Sequence, residues 1–184
     1  ALSFNAAQSV FRSAMEIDAG AFIFEIARSE IGYTDQRPSE FITNMLAAAI
    51  AEGYRGPVFV QGDHFQVSAG KFKDDQEKEL QSIRDLTTEA IEAGFYNIDI
   101  DTSTLVDLSF ETVEEQQMLN SKLSAEMSAF IRQNEPDGVT VSIGGEIGEV
   151  GKVNSTPEEL STYTSLYNDF LADLNSLAIG LSKI

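Results

Sequence analysis

The sequence predicts an α/β protein built on a parallel sheet. Three observations carry this. Short apolar runs alternate with longer amphipathic stretches. The runs recur at a spacing of roughly 35 to 45 residues. Polar, reactive residues close successive runs, as they do where strands deliver ligand-binding groups at their carboxyl ends. Repeated βα units with right-handed crossovers follow from that alternation. A doubly wound open sheet and a (β/α)8 barrel both satisfy the pattern. The first strand is not followed by a G-x-G-x-x-G fingerprint, which counts against dinucleotide binding.

The elements follow in order. Residues 5–19 form an amphipathic helix with Ala7, Val10, Phe11, Ala14 and Ile17 on one face, stopped by Gly20. Residues 21–27 hold the first strand, with Phe22, Ile23, Phe24 and Ile26. A second helix opens near Pro38, places Phe41, Ile42, Met45, Leu46, Ala49 and Ile50 on one stripe, and ends at Gly53. The second strand is residues 57–62. The third helix covers residues 74–93, with Leu80, Ile83, Leu86, Ala90 and Ile91 inward and Gly94 as terminator. The third strand is residues 95–101. The fourth helix covers residues 112–134 on Leu119, Leu123, Met127, Phe130 and Ile131, with residues 111–117 as a solvated face. Pro136-Asp137-Gly138 is a turn, and the fourth strand is residues 139–146. Ser155-Thr156-Pro157-Glu158 reads as a capping box opening a fifth helix. Its core face is Leu160, Tyr163, Tyr167, Phe170, Leu171 and Leu174.

The chain has 184 residues, 42% hydrophobic and 23% charged, as suits one domain spanning residues 1–184 with a sizeable core. Its net charge of -18 makes nucleic acid a poor partner, since phosphate contacts need Lys and Arg clusters. An anionic membrane surface is disfavoured for the same reason, and no apolar run reaches membrane-spanning length. Cysteine is absent, which removes disulfides and thiolate metal sites and agrees with a cytoplasmic location.

Four groups of residues could carry chemistry. Asp63-His64 closes the run Pro57-Val58-Phe59-Val60-Gln61-Gly62, and the chain has 1 histidine. It reads either as a metal ligand beside a general acid/base, or as a turn-capping acid beside a histidine satisfied by a backbone carbonyl. Asp99 and Asp101 alternate with Ile98 and Ile100, so both acids share one face. Two carboxylates there require a cation, a base or hydrogen-bond donors. Glu146 and Glu149 lie in the glycine-rich stretch Gly144-Gly145-Glu146-Ile147-Gly148-Glu149-Val150-Gly151. There the backbone can approach a ligand closely and a terminal Glu can ligate a cation, unless the segment is a loop of solvated acids. Ser29, after Glu25 and Arg28, could touch a substrate oxygen or be a turn serine. Lys71 and Lys73, in a glycine-containing loop after Asp63-His64, could meet a phosphate, and read more readily as solvated. No nucleophile elbow or Walker loop is present. A barrel enzyme using magnesium at Asp99, Asp101 and Glu146 is a further reading.

At these residues the chain resembles the class II, metal-dependent fructose-bisphosphate and tagatose-bisphosphate aldolases. The run ending in Gly62-Asp63-His64 is similar to that family's strand ending in Asp-His. Asn97-Ile98-Asp99-Ile100-Asp101-Thr102-Ser103 resembles its Ile-Asp-x-Ser strand, and Glu146-Ile147-Gly148-Glu149-Val150-Gly151 its Glu-Leu-Gly-x-x-Gly segment. The resemblance implies a (β/α)8 TIM barrel, here a partial one of about four to five βα units. It further implies zinc-dependent, reversible retro-aldol cleavage of a ketose bisphosphate to dihydroxyacetone phosphate and an aldehyde. Asp63 is then the catalytic acid/base, His64 a zinc ligand, and Asp101 and Glu146 carboxylates that bind the metal or orient its ligands. Zinc, or another divalent cation, is the implied cofactor, a phosphorylated sugar the implied substrate, and a homodimer the implied state of the full-length parent. The sequence departs from the family in offering none of its two further zinc-binding histidines, and in Lys152, where a second glycine is common. The opening helix without a preceding strand, and residues 177–184 as a lead-in to another, read as a piece of a longer protein. On its own this chain is expected to hold zinc weakly and to turn over negligibly. A non-catalytic aldolase-like subunit that stabilises a partner barrel is the alternative.

Overall fold

The computed structural model describes residues 2–148 and 154–174. The order is α1 (Ser3–Glu16), β1 (Ile23–Ala27), α2 (Arg28–Thr34), α3 (Pro38–Glu52), β2 (Phe59–Gln66), α4 (Ala69–Asp74), α5 (Gln76–Ala93), β3 (Asn97–Asp101), a 3-10 turn (Ser103–Leu105), α6 (Val113–Asn134), β4 (Ser142–Gly145) and α7 (Pro157–Asp173). The strands form a 4-stranded parallel sheet in the order β1-β2-β3-β4. The α/β class with a parallel sheet is therefore as the sequence implies. The strands follow one another without a reversal of order. Among the described residues, no helix is long and apolar enough to cross a membrane.

The strand residues divide between two environments because their side chains alternate. Ile26, Val60, Ile98, Ile100 and Ile143 are buried in one cluster with Ala7 and Phe11 of α1, Phe41 and Met45 of α3, Ile83 and Ala90 of α5, and Leu123 and Met127 of α6. Glu25, Gln61, Asn97 and Ser142 are register partners across neighbouring strands and form a polar row. The glycine stops behave as expected at Gly53 and Gly94, each at positive φ (73° and 98°), a conformation that costs glycine little.

Several sequence expectations need correction. The first helix ends at Glu16, before Gly20, and Asp18 takes the left-handed turn at φ 53°. Ile17 and Ile50, assigned to buried stripes, are 74% and 80% exposed. The capping box of the last helix is Thr156 with Glu159, one residue later than read, because Thr156 accepts from the Glu159 amide. The short helices α2 and α4 were not foreseen. Gln117, read as part of a solvated face, is 1% exposed. It faces the backbone after β4, a partner that helical periodicity cannot reveal. Glu149 and residues 177–184 lie outside the described residues.

Candidate metal centre

β2 runs on through Asp63-His64 to Gln66 by means of a bulge. Gly62 pairs with Ile98, but the next pair is Phe65 with Ile100, so Asp63 and His64 together oppose Asp99. The extra residue is absorbed at His64, whose φ of +42° lies in the left-handed region. A β-branched or bulky residue is strained there by roughly 1–2 kcal/mol. Two consequences follow. Phe65 and Val67 turn into the core, both 0% exposed, and His64 projects to the rim, half exposed.

Three carboxylates surround the imidazole. Nδ1 lies 3.2 Å from Asp101 Oδ2 and 3.9 Å from Glu146 Oε1, while Nε2 lies 3.5 Å from Asp63 Oδ2. Asp101 is held from several directions. Its Oδ1 accepts from the Ser103 amide (3.0 Å) and hydroxyl (2.7 Å), and its Oδ2 accepts from Gln66 Nε2 (2.5 Å). Ser103 in the Asp-x-Ser pattern and Gln66 together orient Asp101. Asp63 Oδ1 accepts from Gln61 Nε2 at 2.9 Å. One atom each of His64, Asp99 and Glu146 lie within 4.8 Å of one another. These three residues come from β2, β3 and the segment just after β4.

Charge dominates this geometry. Partial burial alone would lower the His64 pKa, but the Asp101 hydrogen bond and the charges of Asp63, Asp101 and Glu146 outweigh it and hold the pKa above the ordinary imidazole value. Burial raises the Glu146 pKa, and the negative charges of Asp99 and Asp101 raise it further. Both groups therefore favour carrying a proton. A divalent cation among them would answer the same electrostatic demand with more charge. One nitrogen and two carboxylate donors form a set suited to zinc and other borderline or hard cations.

A cleft of about 570 Å³ opens beside His64, lined by Arg28, Ser29, Gln66, Ser68 and Lys71. Arg28 of its lining is held in a partly buried ion pair, Arg28 Nη1 to Glu79 Oε1 at 2.6 Å. Arg28 also donates to the Gln66 carbonyl (2.5 Å), and Glu79 accepts from the Ser68 amide (2.8 Å).

The comparisons bear on fold alone. A solved structure described as a probable tagatose 6 phosphate kinase from Sinorhizobium meliloti 1021 is similar over 92% of this chain, at a TM-score of 0.69 and 15% identity. The matched region is 42% of that chain, so this chain spans less than half of its length. No known family matches the sequence. No curated protein matches it either.

The structure thus brings Asp63, His64, Asp101 and Glu146 to one rim and sets Ser29 on the adjoining cleft. Asp99 joins His64 and Glu146 in the set of ligand atoms, whereas Asp101 sits behind His64 with several donors of its own. Sequence reasoning missed Gln61 and Gln66, which hold the two aspartates, and Asn120 of α6. Gln61 and Gln66 stand two residues before and three residues after Asp63, and only the bulge tells which way they point.

Proposed function

We propose that this chain supplies the metal-binding half of a class II aldolase-like (β/α)8 barrel. Its parent then cleaves a ketose bisphosphate reversibly to dihydroxyacetone phosphate and an aldehyde. The observation that carries this reading is the convergence of His64, Asp99 and Glu146 within 4.8 Å at the carboxyl ends of successive strands. The unbroken strand order β1-β2-β3-β4 supports a barrel over a doubly wound sheet, which reverses order at its ligand site. The structural neighbour's description names a kinase of a sugar phosphate. The proposed lyase shares that substrate class and not that reaction.

In this scheme His64 and Glu146 hold the cation, with Asp99 as the third donor, and Asp101 orients the imidazole through its contact with Nδ1. When bound, a divalent cation supplies charge stabilisation for the electron density that develops on the ketose oxygens. Asp63, steadied by Gln61 and partly exposed beside His64, takes the hydroxyl proton as the carbon–carbon bond breaks and returns it in the reverse direction. Ser29 contacts a substrate oxygen from the cleft wall. With 1 histidine in the chain, a complete zinc set needs donors from elsewhere in the parent.

The test is calorimetric titration of the isolated chain with Zn²⁺, followed by an assay for dihydroxyacetone phosphate release from fructose 1,6-bisphosphate. Expected are weak zinc binding, its loss in His64→Ala, and negligible turnover by the chain alone. A wild-type chain indifferent to Zn²⁺ overturns the metal reading. Robust turnover overturns the incomplete-site reading. The shortage of histidines favours one alternative, a non-catalytic subunit that stabilises a partner barrel. A full-length parent that is inactive alone but activates a separate aldolase would establish it.

A further inference from the structure

Two buried amides on α6 grip the backbone that carries Glu146. Gln117 is 1% and Asn120 0% exposed. Asn120 Nδ2 donates to the Glu146 carbonyl at 2.8 Å and to Gln117 Oε1 at 3.0 Å. Gln117 Nε2 donates to the Ile147 carbonyl at 2.7 Å. On the other side, Asn120 Oδ1 accepts from Thr102 Oγ1 at 2.6 Å, and Thr102 follows directly on Asp101. Ser124 Oγ lies 2.8 Å from Thr102 Oγ1 and extends the chain along the helix. Burying several amides and hydroxyls costs free energy unless each finds a partner. Here the partners of Gln117 and Asn120 lie largely in the two segments that present the site's acids.

The need for such a grip is local. Strand pairing of β4 with β3 ends at Gly145, one residue before Glu146. Glycines at 144, 145 and 148 flank it and add no side-chain restraint. Without an outside anchor, the Glu146 carboxylate would sample many positions relative to His64 and Asp99.

We propose that Gln117 and Asn120 are positioning residues for the metal centre. They fix the peptide units at Glu146 and Ile147, and through Thr102 they set the spacing between the β3 acids and Glu146. This rests on the reading of His64, Asp99 and Glu146 as a cation site. Partners that orient metal ligands typically change affinity by about 10–100-fold when removed.

The experiment titrates the chain with Co²⁺, whose visible absorption reports coordination, and measures backbone order parameters at Glu146 and Ile147 in the metal-free protein. Gln117→Met keeps the volume and removes the donor. Asn120→Asp keeps the shape and removes two donated bonds. Ser128→Ala is the control, on the same helix but hydrogen-bonded to the Ser124 carbonyl. Expected are a loss of Co²⁺ affinity of about 10–100-fold in Gln117→Met, an altered absorption band, and lower order at Glu146 and Ile147, with Ser128→Ala unchanged in all three. Where Asn120→Asp does not fold, Gln117→Met decides. Wild-type affinity and order in a folded Gln117→Met overturn the positioning role and leave the cation site standing. An equal loss in Ser128→Ala also overturns it, by pointing to general loosening of α6. A wild-type chain that binds no Co²⁺ removes the cation site and this role together.

Discussion

At the residue scale, His64 couples proton binding to cation binding. Its folded pKa is raised, so the imidazolium contributes stability that is fully present below the ordinary imidazole value and is lost as pH rises through the raised one. Glu146 has the same sign, since its raised pKa means the fold favours its protonated form and loses that preference as pH rises. The metal-free fold therefore weakens as these two groups lose their protons. Metal binding runs the other way, because a ligating imidazole must give up its proton. Co²⁺ affinity should rise with pH until it passes the folded pKa of His64 and then level off, with proton release measurable by calorimetry in buffers of different ionisation enthalpy. The single histidine makes the pKa itself readable from one imidazole signal in a proton NMR titration. A midpoint at or below the ordinary value, about 6.5, would contradict the carboxylate cage.

At the element scale, the bulge in β2 decides what the strand can present. The apolar residues change phase along it: Val58 and Val60 lie at even positions, Phe65 and Val67 at odd ones. A strict alternation would have sent Phe65 to the rim and His64 into the core. The one extra residue corrects this, and the phase change is its signature in the sequence. Gly62 is part of the same device. A β-carbon there would meet the Phe65 ring at 2.5 Å, and Phe65, at 0% exposure, has nowhere to go. Gly62→Ala should destabilise by about 1–3 kcal/mol, as overpacking does. Chemical denaturation would measure this, together with a weakened response to Co²⁺ as the bulge shifts. Stability and binding equal to wild type would show that the bulge tolerates the methyl. Strands, long helices and the Gly53 and Gly94 stops were legible because their signals are local. The buried polar side of α6 was not. Gln117 and Asn120 look like solvent-facing residues until the segment after β4 supplies their acceptors. Leu119, assigned inward, is 37% exposed for the complementary reason, since α6 gives one buried face to the sheet and another to α7.

At the scale of the whole molecule, the groups of the rim come from β2, β3 and the segment just after β4, so a cation there ties together segments far apart in sequence. The chain also carries a net charge of -18, and self-repulsion of that size works against the compact state. Monovalent salt screens the repulsion wherever it arises, whereas a divalent ion at His64, Asp99 and Glu146 acts at one place. The two effects are separable by thermal unfolding. At a Co²⁺ concentration about 100 times its dissociation constant, binding to the folded state alone adds about 2.7 kcal/mol. For a chain of this size that corresponds to a rise of about 5–10 °C in Tm. The rise should persist in about 0.3 M NaCl, where the Debye length is shorter than about 8 Å. It should vanish in His64→Ala and reverse on addition of a chelator. A shift that salt abolishes, or that His64→Ala retains, would mean that the ion is only condensing on a highly acidic surface and that the three segments share no site.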